Sequence, residues 1–155
     1  VLPMWTYENA LHFISENIEP DLIFWTGDIP AHDVWDQSRD DQLHRINVTA
    51  NVISQYFPNT KVYPCLGNHE SAPVDSFPPP GMNPEKYSND WLNRFVEKVW
   101  ARWLPSESLD TIGYAGYYAV NYTDQLRIIS LNTQYCDHLN FWLYVNNTDP
   151  GNMLL

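Results

Sequence analysis

Two short stretches carry residues whose types and spacing could do chemistry. In FWTGDIPAHD, from Phe24 to Asp33, an apolar run stops on Gly27-Asp28, and His32-Asp33 follows. In VYPCLGNHES, from Val62 to Ser71, a second apolar run stops on Gly67, and Asn68-His69-Glu70 follows. A carboxylate can bridge two cations, an amide oxygen is a neutral hard ligand, and imidazole suits zinc or iron. Two cations about 3.5–4 Å apart polarise a phosphoryl group and generate a hydroxide nucleophile near neutral pH. The remaining imidazoles would then donate protons or contact phosphate. The competing reading is purely local: Gly-Asp after a strand is a common turn, with Asp28 capping its loop and His32 hydrogen-bonded to Asp33.

The four residues can act together only if both stretches leave the same edge of one sheet. Hydrophobic patterning predicts a short helix around Ala10–Ile18, a strand over Leu22–Thr26, a helix over Asp36–Phe57 and a strand over Lys61–Leu66. In the longer helix Leu43, Ile46, Ala50, Ile53 and Phe57 form an apolar stripe, and Asp40, His44, Asn47, Asn51 and Ser54 a polar one. Strand, helix, strand makes a crossover whose two strands are parallel neighbours. Functional groups gather at the carboxyl edge of such strands, so Asp28, His32, Asn68 and His69 can converge there. Gly27 and Gly67 would let the backbone turn sharply and leave space for a ligand. Asp33 and Glu70 are expected to orient neighbours or cap loops rather than bind metal.

Further along, SFPPPGMNP from Ser76 to Pro84 is too rich in proline for helix or strand. It fits a rigid surface loop or a wall facing a substrate. A second helix is predicted over Ser88–Leu104, with Leu92, Phe95, Val96, Val99 and Trp103 inward and Pro105 as its end. Strand texture follows from Gly116, from Leu126 and from Phe141. There is no internal repeat, and the pattern is that of one α/β layer structure.

At 155 residues, 44% hydrophobic and 17% charged, the chain is of a length and composition that bury a globular core. A net charge of −11 excludes the basic footprint of a nucleic-acid binder. It leaves a phosphate substrate open, because bound cations would invert the local field. No apolar run approaches the roughly 20 residues of a membrane span. N-x-S/T sequons occur at Asn47, Asn121 and Asn146, and Asn47 would face solvent on its helix. Cys65 fits a buried free thiol; Cys136, in a polar loop, fits pairing with a cysteine elsewhere, or less well with Cys65. Trp35 fits core or a lipid-facing rim. Val1-Leu2-Pro3 is neither an initiator Met nor a signal peptide, and TDPGNMLL reads as a helix start with Asp149 as cap and Pro150 at the first helical position. The expectation is an internal piece of a longer protein.

The pair G-D-x-x-x-H-D and G-N-H-E resembles the signature of calcineurin-like metallophosphoesterases. WTGDIPAHDVW at Trp25–Trp35, YPCLGNHES at Tyr63–Ser71, SFPPP at Ser76–Pro80, WLP at Trp103–Pro105 and NFWLYVNNTDP at Asn140–Pro150 resemble the acid sphingomyelinase branch, over essentially the whole chain. The resemblance implies an α/β metallophosphoesterase sandwich, mixed β-sheets flanked by helices, of which residues 1–155 are a partial catalytic domain. It implies two zinc ions, with Asp28 bridging them and Asn68 on one. His69 would protonate the leaving group and His32 would contact the phosphate. The family's other ligands lie on an upstream D-x-H and a downstream G-H-x-H motif, neither of which is in this sequence. His12, His44 and His138 stand in no matching context. The implied parent reaction is hydrolysis of sphingomyelin at a membrane surface to ceramide and phosphocholine, in a lysosomal or secreted glycoprotein, with this piece alone inactive. The branch also includes phosphodiesterases of soluble nucleotides, and a non-catalytic truncated glycoprotein is the third expectation.

Overall fold

The computed structural model describes residues 2–83 and 85–153. Its first half runs α1 (Met4–Asn17), β1 (Leu22–Trp25), α2 (Arg39–Tyr56) and β2 (Lys61–Pro64). β1 and β2 pair in parallel, Leu22 opposite Lys61 and Trp25 opposite Pro64, and the Cys65 N–H donates to the Trp25 carbonyl at 2.8 Å just past the last pair. The expected crossover is therefore present. α2 starts later than the apolar stripe suggests, because Ser38 caps it: the Asp41 N–H donates to Ser38 Oγ while the Ser38 N–H donates to the Asp41 carboxylate.

The second half runs α3 (Asp90–Trp100), α4 (Leu109–Ala115), β3 (Tyr118–Asn121) and β4 (Arg127–Ser130). β3 and β4 pair antiparallel. The two small sheets meet at one carbonyl: Pro64 O, at the end of β2, accepts from the Tyr118 hydroxyl at 2.8 Å and the Ser130 hydroxyl at 3.3 Å. Small parallel and antiparallel sheets with packed helices make a mixed α/β architecture, consistent with a partial metallophosphoesterase fold. One core of Ile46, Val62, Leu92, Val96, Trp100, Ile112 and Tyr118 joins both halves.

Five expectations need correction. The helix expected over Ser88–Leu104, α3, stops at Trp100, because the Trp100 carbonyl accepts from both Trp103 and Leu104 in a tight turn that lays Trp103 edge-on against Trp25. α4 was not expected at all. Its seven residues include Thr111 and Gly113, poor helix formers, and burial of Ile112, Gly113 and Ala115 stabilises it. Phe141–Tyr144 is a 3-10 turn, not a strand. The cause is Asn140, a buried residue whose amide donates to Phe77 O at 2.9 Å and accepts from Phe77 N and Trp142 N, folding this segment onto the proline-rich loop. No helix begins at Asp149 among the described residues. Asp149 has φ +48, not the extended backbone of an N-cap, and residues 150–151 form a turn. Val1, Pro84, Leu154 and Leu155 lie outside the described residues. Lastly, Asn47 is half-buried and its sequon partner Thr49 buried, because α2 is covered beyond one stripe: Arg102 also caps its polar face through Asn51 and Ser54.

Trp35 is 83% exposed, so it is not core. Cys65 and Cys136 are both free thiols. No helix of the described residues is long and apolar enough to cross a membrane. Burial raises the phenol of Tyr7 to about 12, and raises those of Tyr118 and Tyr135 further. Their unfolded counterparts titrate near 10. A raised acid contributes stability that is complete below the unfolded value and is lost as pH climbs through the folded one. Absorbance titration of the folded protein is therefore expected to leave these three tyrosines protonated past pH 10, with unfolding stability falling from there upward. Ionisation of every tyrosine near 10 without unfolding would contradict this packing.

Candidate metal centre

β1 and β2 end side by side, and their loops leave the same edge. The first loop turns through two consecutive left-handed residues, Gly27 at φ +79 and Asp28 at φ +61. A Cβ on Gly27 would collide with the Gly67 nitrogen and lie 2.9 Å from the Cys65 carbonyl; one on Gly67 would overlap the Asp28 carboxylate. Both glycines are thus required by close approach of the two loops, and Gly27 also by its backbone.

This turn aims successive N–H groups inward, where they meet Glu70. Its carboxylate is 2% exposed and accepts from Gly67 N at 2.7 Å, Ile29 N at 2.8 Å and Asp28 N at 3.1 Å. Burial pushes the Glu70 carboxyl up, while these three N–H groups pull it down. Bonds from three donors favour the ionised form, and the arrangement is a backbone cradle for a negative charge.

The candidate side chains stand around this anchor. The His69 N–H donates to Asp28 Oδ1 at 3.3 Å, and the His32 and His69 rings lie 4.9 Å apart between centroids. Asn68 Nδ2 donates to Asp75 Oδ1 at 2.8 Å, which leaves the side-chain amide oxygen of Asn68, its Oδ1, for a cation. Asp33 turns away, to Arg45 at 3.6 Å and Gln37 at 3.4 Å, rather than to His32. Asp28, His32, Asn68 and His69 therefore share one edge, with Glu70 beneath them and Asp33 to the side. A cleft of about 540 Å³ opens beside Asp28 and His32, walled by Tyr7, Arg45 and Val48. Burial first, then the charges of Glu70 and Asp28, raise the Cys65 thiol, so it stays protonated and is a poor ligand.

Sequence reasoning missed Gln42. It sits on the inward face of α2 with no exposure, and its Nε2 donates to His69 O at 3.0 Å and Gln37 Oε1 at 3.0 Å, with Ser71 O at 3.4 Å. A helical wheel holds the signal: Gln42 lies one turn before Ile46 on the buried side.

The model of the calcineurin-like phosphoesterase family matches residues 4–150, and the chain belongs to that family. It is 44% identical to a sphingomyelin phosphodiesterase of Homo sapiens over 153 residues, 99% of this chain and 24% of that one. Against sphingomyelin phosphodiesterase 2 of Caenorhabditis elegans the identity is 43%, over 96% of this chain and 24% of the relative. Against a cyclic GMP-AMP phosphodiesterase of Bos taurus it is 36%, over 93% and 31%. The chain spans about a quarter of the length of the first two relatives.

Family membership implies divalent metal ions. The donors here fit part of such a site: an exposed carboxylate at Asp28 and an amide oxygen at Asn68, on adjoining turns. They do not make a whole one, because no group of three or more His, Cys, Asp or Glu side chains among the described residues could hold a metal.

Glu70 is the residue whose loss this geometry makes most costly. In Glu70→Gln the amide nitrogen would face a backbone N–H, leaving a buried donor unpaired at a cost of about 1–3 kcal/mol. The expected result is a lower urea midpoint with faster amide hydrogen exchange at Gly67, Asp28 and Ile29. Unchanged exchange at those three amides would refute the bridging role.

Proposed function

We propose that the protein to which this chain belongs is a zinc-dependent phosphodiesterase that hydrolyses sphingomyelin to ceramide and phosphocholine, and that residues 1–155 are part of its catalytic domain. The observation that carries this reading is the meeting of Asp28, His32, Asn68 and His69 at one edge, His69 N bonded to Asp28 and the two imidazoles adjacent. The identity to sphingomyelin phosphodiesterases supports the choice of substrate.

In this reading Asp28 and Asn68 hold two zinc ions together with D-x-H and G-H-x-H residues elsewhere in the parent. When bound, the cations supply Lewis acidity toward the phosphoryl group and a water of lowered pKa. Hydrolysis breaks the bond between phosphorus and the ceramide oxygen, and the departing alkoxide needs a proton. His69 gives it, and His32 donates a hydrogen bond to a phosphoryl oxygen. Glu70 holds the backbone under both loops, and Asp33 keeps Arg45 beside the cleft. By itself the chain supplies too few ligands for two cations and is inactive. The sequons favour a lysosomal or secreted glycoprotein working at a membrane surface, with sugar at the exposed Asn121 rather than at half-buried Asn47 or Asn146. A second reading, a phosphodiesterase of soluble nucleotides, is favoured by the cyclic GMP-AMP phosphodiesterase relative.

The deciding experiment uses the full-length parent. It is expected to release phosphocholine from sphingomyelin vesicles, to lose that activity on chelation, and to regain it with zinc. Asp28→Ala should lower bound zinc measured by elemental analysis, and His69→Ala should lower kcat by about 10²–10⁴. Cleavage of nucleotides without release of phosphocholine would select the second reading. Full activity of Asp28→Ala would sink both.

A further inference from the structure

The inward face of α2 presents Ile46, Ala50 and Ile53 to the core, and two polar residues, Gln42 and Thr49, are buried with them, Gln42 with no exposure to solvent. A leucine or methionine would fill the same space. Instead Gln42 leaves its Oε1 buried without a partner, an arrangement that folding stability alone disfavours. The other end of the amide is crowded with acceptors: Gln37 Oε1, the His69 carbonyl and the Ser71 carbonyl. Rotating the amide would set oxygen against oxygen, so its orientation is fixed. His69 is consequently gripped on both sides of its own Cα. Its N–H bonds Asp28 on the first loop, and its carbonyl bonds Gln42 on the helix between the strands. The imidazole Nδ1 is buried without a partner, so no side-chain bond to that atom orients the ring, and the ring's position follows from the main chain.

We infer that Gln42 is a positioning residue for His69, fixing the main chain from which the imidazole reaches the leaving-group oxygen. The inference rests on the reading of His69 as proton donor, and the test separates the two. A ring displaced by loss of the Gln42 bond still leaves substrate binding and metal donors in place. What suffers is proton delivery, and only for a leaving group that needs a proton.

The full-length parent is assayed on two phosphocholine esters. Sphingomyelin releases an alkoxide; p-nitrophenyl phosphocholine releases a stabilised phenolate that departs without protonation. Gln42→Met is expected to lower kcat on sphingomyelin by about tenfold or more. Its KM on sphingomyelin, and its kcat on the nitrophenyl ester, should stay within about twofold of the parent's. Gln42→Asn, one methylene too short to reach the His69 carbonyl, gives the same contrast and serves where the methionine variant fails to fold. Equal loss on both esters, or no loss on either, overturns the positioning role. His69→Ala is run alongside. If it shows the leaving-group contrast and the Gln42 variants do not, the inference fails while the proton-donor reading stands. If His69→Ala lowers both esters alike, the proton-donor reading is overturned and the inference falls with it.

Discussion

Three backbone N–H groups, from Gly67, Asp28 and Ile29, converge on the buried carboxylate of Glu70, and the loops after β1 and β2 are both anchored there. A carboxylate taken out of water is costly unless its lone pairs are used, and hydrogen bonds to an ion are about twice as strong as neutral ones. Much of the surrounding chain follows from meeting that demand. Here two successive N–H groups, of Asp28 and Ile29, face one carboxylate through the left-handed turn at Gly27 and Asp28. That turn brings the first loop against the second so closely that neither Gly27 nor Gly67 could carry a side chain. The parallel register of β1 and β2 then has a second fastening beyond its four residue pairs.

Rigidity and chemistry are divided between different atoms at this edge. The backbone is held from below, by Glu70 toward β1 and by Gln42 toward α2, whereas Asp28 and His32 remain exposed. The same separation extends to the second sheet, which reaches β2 through hydroxyls of Tyr118 and Ser130 on the Pro64 carbonyl, three residues before Gly67. A site built this way keeps its geometry in buried main chain and leaves its ligand-forming side chains open.

Legibility in the sequence followed the length of the pattern. The crossover was readable because α2 carries its apolar residues at steps of three and four from Leu43 to Phe57, and because both strands end on Gly and a polar cluster. The convergence of Asp28, His32, Asn68 and His69 followed from that topology alone. Phe141–Tyr144 was misread because four apolar residues fit a strand, and only a long-range partner, Phe77, decides otherwise through Asn140. α4 was invisible because packing of its Ile112, Gly113 and Ala115, with α3 as its main neighbour, stabilises it rather than the helix propensity of its seven residues. Gln42 was passed over because a polar residue near a helix start reads as solvent-facing until its tertiary partners, the His69 and Ser71 carbonyls, are known.

The charge of the edge argues for what it can accept. Asp28 and Glu70 lie on adjoining turns, and their charges add to the burial that raises the Cys65 thiol. Arg45, which lines the same cleft, is drawn to Asp33, and no ion pair neutralises Asp28 among the described residues. An anionic phosphate ester brought to this surface, on a protein with net charge −11, would meet repulsion. A bound divalent cation would reverse that sign locally, since such an ion is the largest charge in its site. Glu70 spends its oxygens on three backbone N–H groups, so Asp28 is the carboxylate left open at this edge, and the divalent metal ions that the phosphoesterase family implies are what would reconcile its charge with an anionic substrate.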